Sequence, residues 1–302
     1  KFSYKLKDGT WYMCDLDGNP VKPAPEDIQN KILAYLDTLP EKEKIDELPL
    51  VSVITVVLNG EKYLEQTIQS VINQTYPNVE YIIIDGGSTD GTLDTIKKYE
   101  DYIDYWLSER DEGMYDALKK GFSLAFGRIF TWLNYDDIFY SYTVEVVWEI
   151  LRKNKKVKWI TGLPSVIDDR SRLIKVGLPR YYFKNFIKLG LYRGDVLGFI
   201  QQEGTFFYRD IYFKSPINSS LKLAGDYALW VEFAKQGISL YGTRTILASF
   251  RVHKNNKSKM LSFYYSECEK LVGSYKIWSS IKYLLKFIKC LDVIFSKIKV
   301  IK

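Results

Sequence analysis

The chain carries a single histidine, His253, among 302 residues. A metal site built from several imidazoles is therefore excluded. Cysteine is nearly as scarce. Cys14, Cys268 and Cys290 are odd in number, far apart and in no CxxC pair, which fits a reducing compartment and offers no zinc ribbon. No GxxxxGKS/T string occurs, so there is no P-loop. No GxGxxG follows an apolar run and no GxSxG elbow is present, so the dinucleotide fingerprint and the hydrolase nucleophile turn are absent too. No uninterrupted apolar run approaches the roughly 18 residues of a spanning helix. No secretory leader is legible, and a start at Lys1 rather than Met fits a trimmed chain or a piece of a larger protein. Internal repeats and low-complexity tracts are also missing.

Charge of one sign is lacking over most of the chain. The seven lysines and one acid of residues 275–302 account for the whole net charge of +6. That argues against a broad nucleic-acid-binding face and for one local electrostatic element. What is abundant is aromatic residues, with 24 Tyr, 16 Phe and 7 Trp. Tyr and Trp suit half-wet surfaces such as sugar sites and membrane interfaces, and they also fill ordinary cores.

Residues 1–48 read as a small appendage and linker. Asp8-Gly9 and Asp17-Gly18-Asn19-Pro20 flank an aromatic run, predicting a hairpin or meander. Residues 26–39 read as a helix and 40–49 as a linker. From residue 49 to about 260 the pattern changes. Leu50–Leu58, Val79–Ile84, a short Tyr102–Leu107 and Ile129–Leu133 read as strands, with helices at Glu61–Gln74, from Ser88 onward and at Met114–Phe126. This rhythm predicts an α/β fold with a doubly wound, mostly parallel sheet. Later strands are expected at 157–162 and 243–252, and a helix at Ala224–Gln236. Residues 261–302 read as a basic amphipathic helical region, with Ile277, Ile281, Leu284, Leu285, Ile288, Leu291, Phe295 and Ile298 spaced by threes and fours.

The strand ends carry the chemistry, because ligands of open α/β sheets bind there. Ile129–Leu133 runs straight into Asn134-Tyr135-Asp136-Asp137. Two adjacent carboxylates at the edge of a core repel, and a metal ion or several donors hold both ionised. Asp is equally a preferred helix N-cap, and these four residues alone fit either role. Asp85 ends the second strand, followed by Gly86 and Gly87, which let backbone approach a flat ligand. A carboxylate there can accept from an imide N–H of the kind uracil offers, although a tight βα loop would look the same. Asp226 opens a helix with an apolar body, as a cap or as a general base at the crevice mouth. His253 closes a strand, as a structural or a functional residue.

In order along the chain, Ser70-Val71-Ile72-Asn73-Gln74-Thr75-Tyr76-Pro77, Asp85-Gly86-Gly87-Ser88-Thr89-Asp90-Gly91-Thr92, Asp111-Glu112-Gly113-Met114-Tyr115-Asp116-Ala117, Asn134–Asp137 and Gln201-Gln202-Glu203-Gly204-Thr205 resemble family 2 of the inverting glycosyltransferases, of the bacterial O-antigen and capsule type. The resemblance covers residues 50–258. It implies a GT-A fold and a nucleotide-sugar donor, usually a UDP-sugar. It implies that Asp85 binds the base, that Thr55, Val57, Glu61 and Gly87 line the nucleoside pocket, and that Asp111, Asp116, Asn134 and Asp136 face the donor. Gln202 and Glu203 would lie on the acceptor side. Asp136, with Asp137 beside it and His253 near, would hold a divalent cation, Mn²⁺ or Mg²⁺, and Asp226 would be the catalytic base. The chain departs from the pattern at Asn134, where Asp is usual, at Lys119 for Asn and at Arg110 for Pro. Those departures bear on the donor sugar more than on the reaction.

The lysine-rich tail reads as an interfacial helix on an anionic membrane, each lysine adding roughly 1 kcal/mol. A terminal helix packed on the body is the alternative. Tail and resemblance together predict a cytoplasmic enzyme, peripheral on the inner face of the cell membrane, acting on a glycan or lipid-linked acceptor and not on nucleic acid. A catalytically inactive membrane scaffold and a nucleotidyltransferase on a similar fold are the competing readings. The loop Asn59-Gly60-Glu61-Lys62 is too poor in glycine and cation to hold a triphosphate, and intact Asp85, Asp136 and Asp226 argue against a scaffold.

Overall fold

The computed structural model describes residues 1–39, 45–254, 256 and 260–272. The predicted linker and the basic amphipathic region 261–302 each fall partly, and the lysine-rich residues 275–302 wholly, outside the described residues. The two Asp-Gly turns reverse the chain at positive φ. They produce the antiparallel meander β1 (Tyr4–Lys7), β2 (Thr10–Cys14) and β3 (Pro20–Pro23), followed by α1 (Glu26–Leu36) and by β4 (Glu47–Leu48), which pairs with β1. Trp11, Met13, Ile32 and Tyr35 share one core with Val51, Val53 and Tyr76. Tyr35 meets Tyr76 edge to face at 6.1 Å. The front segment is thus packed into the main body rather than hung from it.

The main sheet begins as expected with β5 (Val51–Val57), α2 (Leu64–Ile72), β6 (Val79–Asp85), α3 (Thr92–Lys98), β7 (Tyr105–Ser108), α4 (Met114–Leu124) and β8 (Ile129–Asn134). Next come β9 (Ile138–Phe139), α5 (Thr143–Lys153), β10 (Trp159–Thr161), β11 (Ser165–Ile167), β12 (Leu173–Val176), α6 (Lys184–Lys188), β13 (Thr205–Tyr208), α7 (Arg209–Lys214), α8 (Gly225–Lys235), β14 (Tyr241–Gly242), β15 (Ala248–Arg251) and α9 (Leu261–Val272). The large sheet has the order β14-β10-β13-β8-β5-β6-β7, and a small one the order β12-β11-β15-β9. Only β13 runs against its neighbours in the large sheet. The strand expected over 243–252 is shorter, β15 alone, and is preceded by the two-residue β14 outside that range. Thr243 folds its hydroxyl onto Thr245, and this turn carries the chain from the large sheet to the small one.

Both faces of the parallel strands are buried, as helices on either side require. Val51, Val53, Ile83 and Leu133 point into one core, and Ile54, Val56, Ile82, Ile84, Phe130 and Trp132 into the other. In the second core Trp230 of α8 stacks on Trp132 at 5.5 Å and on Trp159 at 5.2 Å. Aromatic pairs of this kind add about 0.5–1.5 kcal/mol beyond their area burial. They fix α8 against β8 and β10, so the N-terminus of α8 has a set position relative to the end of β8.

Candidate active site

Register brings the strand ends level. Val57 pairs with Asp85, and Val56 with Asn134. Asp85 is fully buried. Its carboxylate accepts the Gly87 and Ser88 backbone N–H groups at 3.1 and 3.0 Å, the Ser108 hydroxyl at 2.6 Å, and the Ser88 hydroxyl. Gly87 sits at φ 85°, the left-handed region where a side chain is strained. Above this turn lies Asp111, whose Oδ1 accepts the Gly113 N–H at 2.8 Å, and whose Oδ2 is where a Cβ on Gly86 would fall. Asp85, Gly87 and Asp111 therefore converge.

Other predicted donor residues are engaged with the fold itself. Glu61 accepts the Gly91 N–H at 3.2 Å, next to the start of α3. Asp116 accepts the Glu112 N–H at 3.2 Å and pairs with Lys120 at 3.3 Å. Val57 closes the strand, buried. Thr55 is a correction. It lies on the central strand β5, and its buried hydroxyl accepts from the Tyr81 phenol at 3.1 Å, so the side chain faces the core and not the crevice.

The end of β8 is built differently. Neither Asp136 nor Asp137 caps a helix, since α5 begins at Thr143 behind Tyr142. Asp136 Oδ2 lies 2.8 Å from His253 Nε2, and both side chains are mostly buried. Arg251, wholly buried, donates from Nε to the Asp136 carbonyl at 2.6 Å and from its backbone N–H to Asp137 Oδ1 at 2.9 Å. Its other nitrogens reach Gln66 and Ser171, and its guanidinium lies 4.8 Å from the centre of the Tyr63 ring. Asn134 Nδ2 donates to Asp137 and, at 3.2 Å, to Gln202 Oε1, while Gln202 Nε2 donates to the Trp132 carbonyl at 2.6 Å.

Glu203 is next to Gln202 and feels both Asp226 and Asp136. Its buried Oε2, like the buried Asn134 Oδ1, has no hydrogen-bond partner among the described residues. Burial foremost, then Asp136 and Glu203, raises the Asp137 carboxyl well above the ordinary range. Burial also raises Glu203, with Asp226 and Asp136 adding to it. Asp226 is not the cap of α8, a place held by Ala224. It sits in the first turn, accepting from the Tyr227 N–H at 2.7 Å and the Tyr115 phenol at 3.3 Å, and burial pushes it up to about 6. Four carboxylates thus share one end of the sheet, with groups next to them that still lack a donor. Such a cluster is suited to a cation and to hydroxyl-bearing ligands.

A cleft of about 460 Å³ opens beside His253, Asn59, Tyr63 and Tyr135, with Lys62 and Lys254 in its lining. That volume is of the size that holds a small ligand. Asp85 and Asp226 are not among its walls. Sequence reasoning missed Arg251, Tyr63 and Tyr115, which meet the site, and Glu267, which holds the backbone of residues 222–224 just before Asp226. Arg251 had one signal, its place two residues before the sole histidine at a strand end.

The chain is similar to known proteins along most of its length. It is 34% identical over 210 residues to an uncharacterized glycosyltransferase, RT0329, of Rickettsia typhi, covering 68% of this chain and 64% of that one. It therefore spans less than two thirds of that relative. To the putative teichuronic acid biosynthesis glycosyltransferase TuaG of Bacillus subtilis it is 29% identical over 252 residues, 80% of this chain and 97% of TuaG. Among solved structures, that of S. aureus TarS 1–349 in complex with UDP-GlcNAc superposes with a TM-score of 0.57 at 15% identity, covering 82% of this chain and 73% of TarS. The fold is the GT-A fold. The family described as glycosyl transferase family 2 matches residues 52–214, and with its motifs set at the ends of β5, β6 and β8, this chain belongs to that family.

Proposed function

We propose that the chain is a divalent-cation-dependent, inverting glycosyltransferase. It moves a sugar from a nucleotide-sugar donor, a UDP-sugar, to a hydroxyl of a glycan or lipid-linked acceptor in surface polysaccharide synthesis. The observation that carries this reading is the convergence, at one end of the sheet, of Asp226, Glu203 and the Asp136–His253 pair from distant stretches of chain. TuaG and TarS support the substrate class: the first is named for teichuronic acid biosynthesis and the second binds UDP-GlcNAc.

The residues fit a cation. Asp136 and His253 offer an oxygen and a nitrogen 2.8 Å apart, a pair that suits Mn²⁺ and also serves Mg²⁺. Among the described residues no three His, Cys, Asp or Glu side chains are placed to hold one metal ion between them, so substrate phosphates and water would complete the shell. When bound, the cation neutralises charge on the departing diphosphate. Asp85, Gly87, Asp111 and Val57 hold the nucleoside. Lys62 and Lys254, in the cleft wall beside His253, suit its diphosphate. Gln202 is turned toward the β8 end, and Glu203 Oε2 and Asn134 Oδ1 receive sugar hydroxyls, which supply the missing donors. Asp226 takes the proton of the acceptor hydroxyl. That oxygen bonds to the anomeric carbon as the bond to the diphosphate oxygen breaks, the electron pair leaves with the nucleotide, and in-line attack inverts the configuration. Base catalysis of this kind contributes about 100- to 10,000-fold.

No helix among the described residues is long and apolar enough to cross a membrane. Placement at the inner face of the cell membrane rests on the lysine-rich residues 275–302. Liposome flotation with and without those residues decides it, and equal binding by both proteins would sink the idea. For the reaction, the chain is incubated with UDP-sugars and GDP-mannose, with Mn²⁺ or Mg²⁺, and nucleotide release is measured. Undiminished release by Asp136→Ala or Asp226→Asn would show the site to be misassigned.

A further inference from the structure

Helix α9 lies past the part of the chain that the family pattern describes, yet it reaches the site. Glu267 is 6% exposed. One of its oxygens accepts the Lys222 N–H at 2.8 Å, and the other accepts the N–H groups of Leu223 and Ala224 at 2.8 and 2.9 Å. Three successive backbone donors aimed at one carboxylate form an anion-binding concavity. Here a side chain from more than forty residues away fills it. On the other side of the same strap, the Tyr115 phenol of α4 donates to the Leu223 carbonyl at 2.9 Å and approaches Asp226 Oδ1 at 3.3 Å. The Tyr115 ring also packs against Gly225, where an added Cβ would come within 2.7 Å of it. Residues 222–226 are therefore held from two sides, their donors by α9 and a carbonyl by α4.

We infer that Glu267 is a positioning residue for Asp226: by gripping the three N–H groups that lead into α8, it sets where the Asp226 carboxylate stands against the acceptor hydroxyl. This rests on the reading of Asp226 as the base. The rest of α9 is arranged to deliver that grip. Cys268 is wholly buried against Ala224, Tyr227 and Val231, and the rings of Tyr264 and Tyr227 meet at 6.3 Å. Helix capping alone would stabilise α8 without concern for where Asp226 points. Positioning makes a further demand, because a displacement of about 1 Å at a reacting group can cost on the order of 100-fold in rate.

The test compares Glu267→Ala, Glu267→Gln, Leu271→Ala and Asp226→Asn in the full chain, each assayed with donor, acceptor and Mn²⁺ at a temperature where it is folded. Glu267→Ala is expected to lower kcat about 10- to 100-fold with the donor KM unchanged, because Asp85 and Asp136 stand on other elements. Amide hydrogen exchange at residues 222–226 should quicken in the same variant. Glu267→Gln keeps one acceptor oxygen and the side-chain length, and should recover part of the loss. Leu271→Ala thins the packing of α9 on the same cluster without touching the grip, and should lower Tm while leaving kcat near the wild-type value. Retention of kcat by Glu267→Ala, or equal losses of kcat in Glu267→Ala and Leu271→Ala, would overturn the positioning role while leaving Asp226 in place. Wild-type turnover by Asp226→Asn would overturn the base assignment and this role with it.

Discussion

The two halves of the crevice are built on opposite principles. On the β5–β6 side the polar groups are already satisfied: Asp85 holds four donors, Glu61 holds the start of α3, and Asp116 holds Lys120. On the β8–α8 side the carboxylates of Asp137, Glu203 and Asp226 are all raised by burial, and Glu203 Oε2 and Asn134 Oδ1 lack partners among the described residues. The first half is a preformed cradle, which loses little conformational freedom when a ligand arrives. The second stores unfavourable electrostatics that only ligands of the right charge and hydrogen-bonding character relieve. Substitutions on the two sides should therefore differ in kind, in donor KM on the first and in kcat on the second.

Asp226→Asn should show the largest effect, a fall in kcat of about 100- to 10,000-fold at nearly unchanged donor KM, read by nucleotide release. A rise in donor KM instead would erase the distinction between the halves. Arg251→Gln comes next. The Arg251 side chain braces the Asp136 carbonyl, and loss of such a supporting group costs about 10- to 100-fold in metal affinity or activity. A Mn²⁺ titration of activity should show a right-shifted midpoint, and wild-type activation would remove Arg251 from the site. On the satisfied side, Asp85→Asn should raise donor KM by about 10-fold, on the order of one charge-assisted hydrogen bond, with kcat largely kept. A loss confined to kcat would contradict the cradle.

The same contrast governs what could be read from the sequence. The β5–β8 half is legible because its strands are continuous apolar runs and its functional residues follow each strand directly, as Asp85 follows Ile84. The other half is assembled from residues 134–137, 202–203, 226, 251–253 and 267, and no local pattern announces that Arg251 lies under Asp136 or that Glu267 reaches residue 222. Thr55 was misplaced for a related reason. The resemblance supplies a residue at that position, but not the Tyr81 hydrogen bond that turns its side chain into the core. The start of β15 at Ala248, later than expected, is hidden because Thr243 and Thr245 are good strand formers that here make a side-chain turn. Glu267 carried no signal at all, since a glutamate in a helix is ordinary until its three donors are seen.

The smallest effect is also the most specific to the unsatisfied half. Burial lifts Asp226 to about 6, so it is largely ionised at pH 7 and becomes protonated below about 6. A base must be ionised to accept a proton, so kcat/KM should be flat above neutrality and fall as pH drops, by about tenfold at one unit below the pKa. The groups facing Asp226 are Tyr115 of α4, Glu203 before β13, and Tyr264 and Cys268 of α9. The Tyr115 phenol stabilises the ionised form by hydrogen bonding, so Tyr115→Phe should move the acid limb to higher pH. Asp226→Asn should abolish the limb, leaving residual activity independent of pH in this range. A limb that persists unchanged in Asp226→Asn would assign the titration to another carboxylate of the cluster, and Glu203, which is also raised and next to Asp226, would then be the group to substitute.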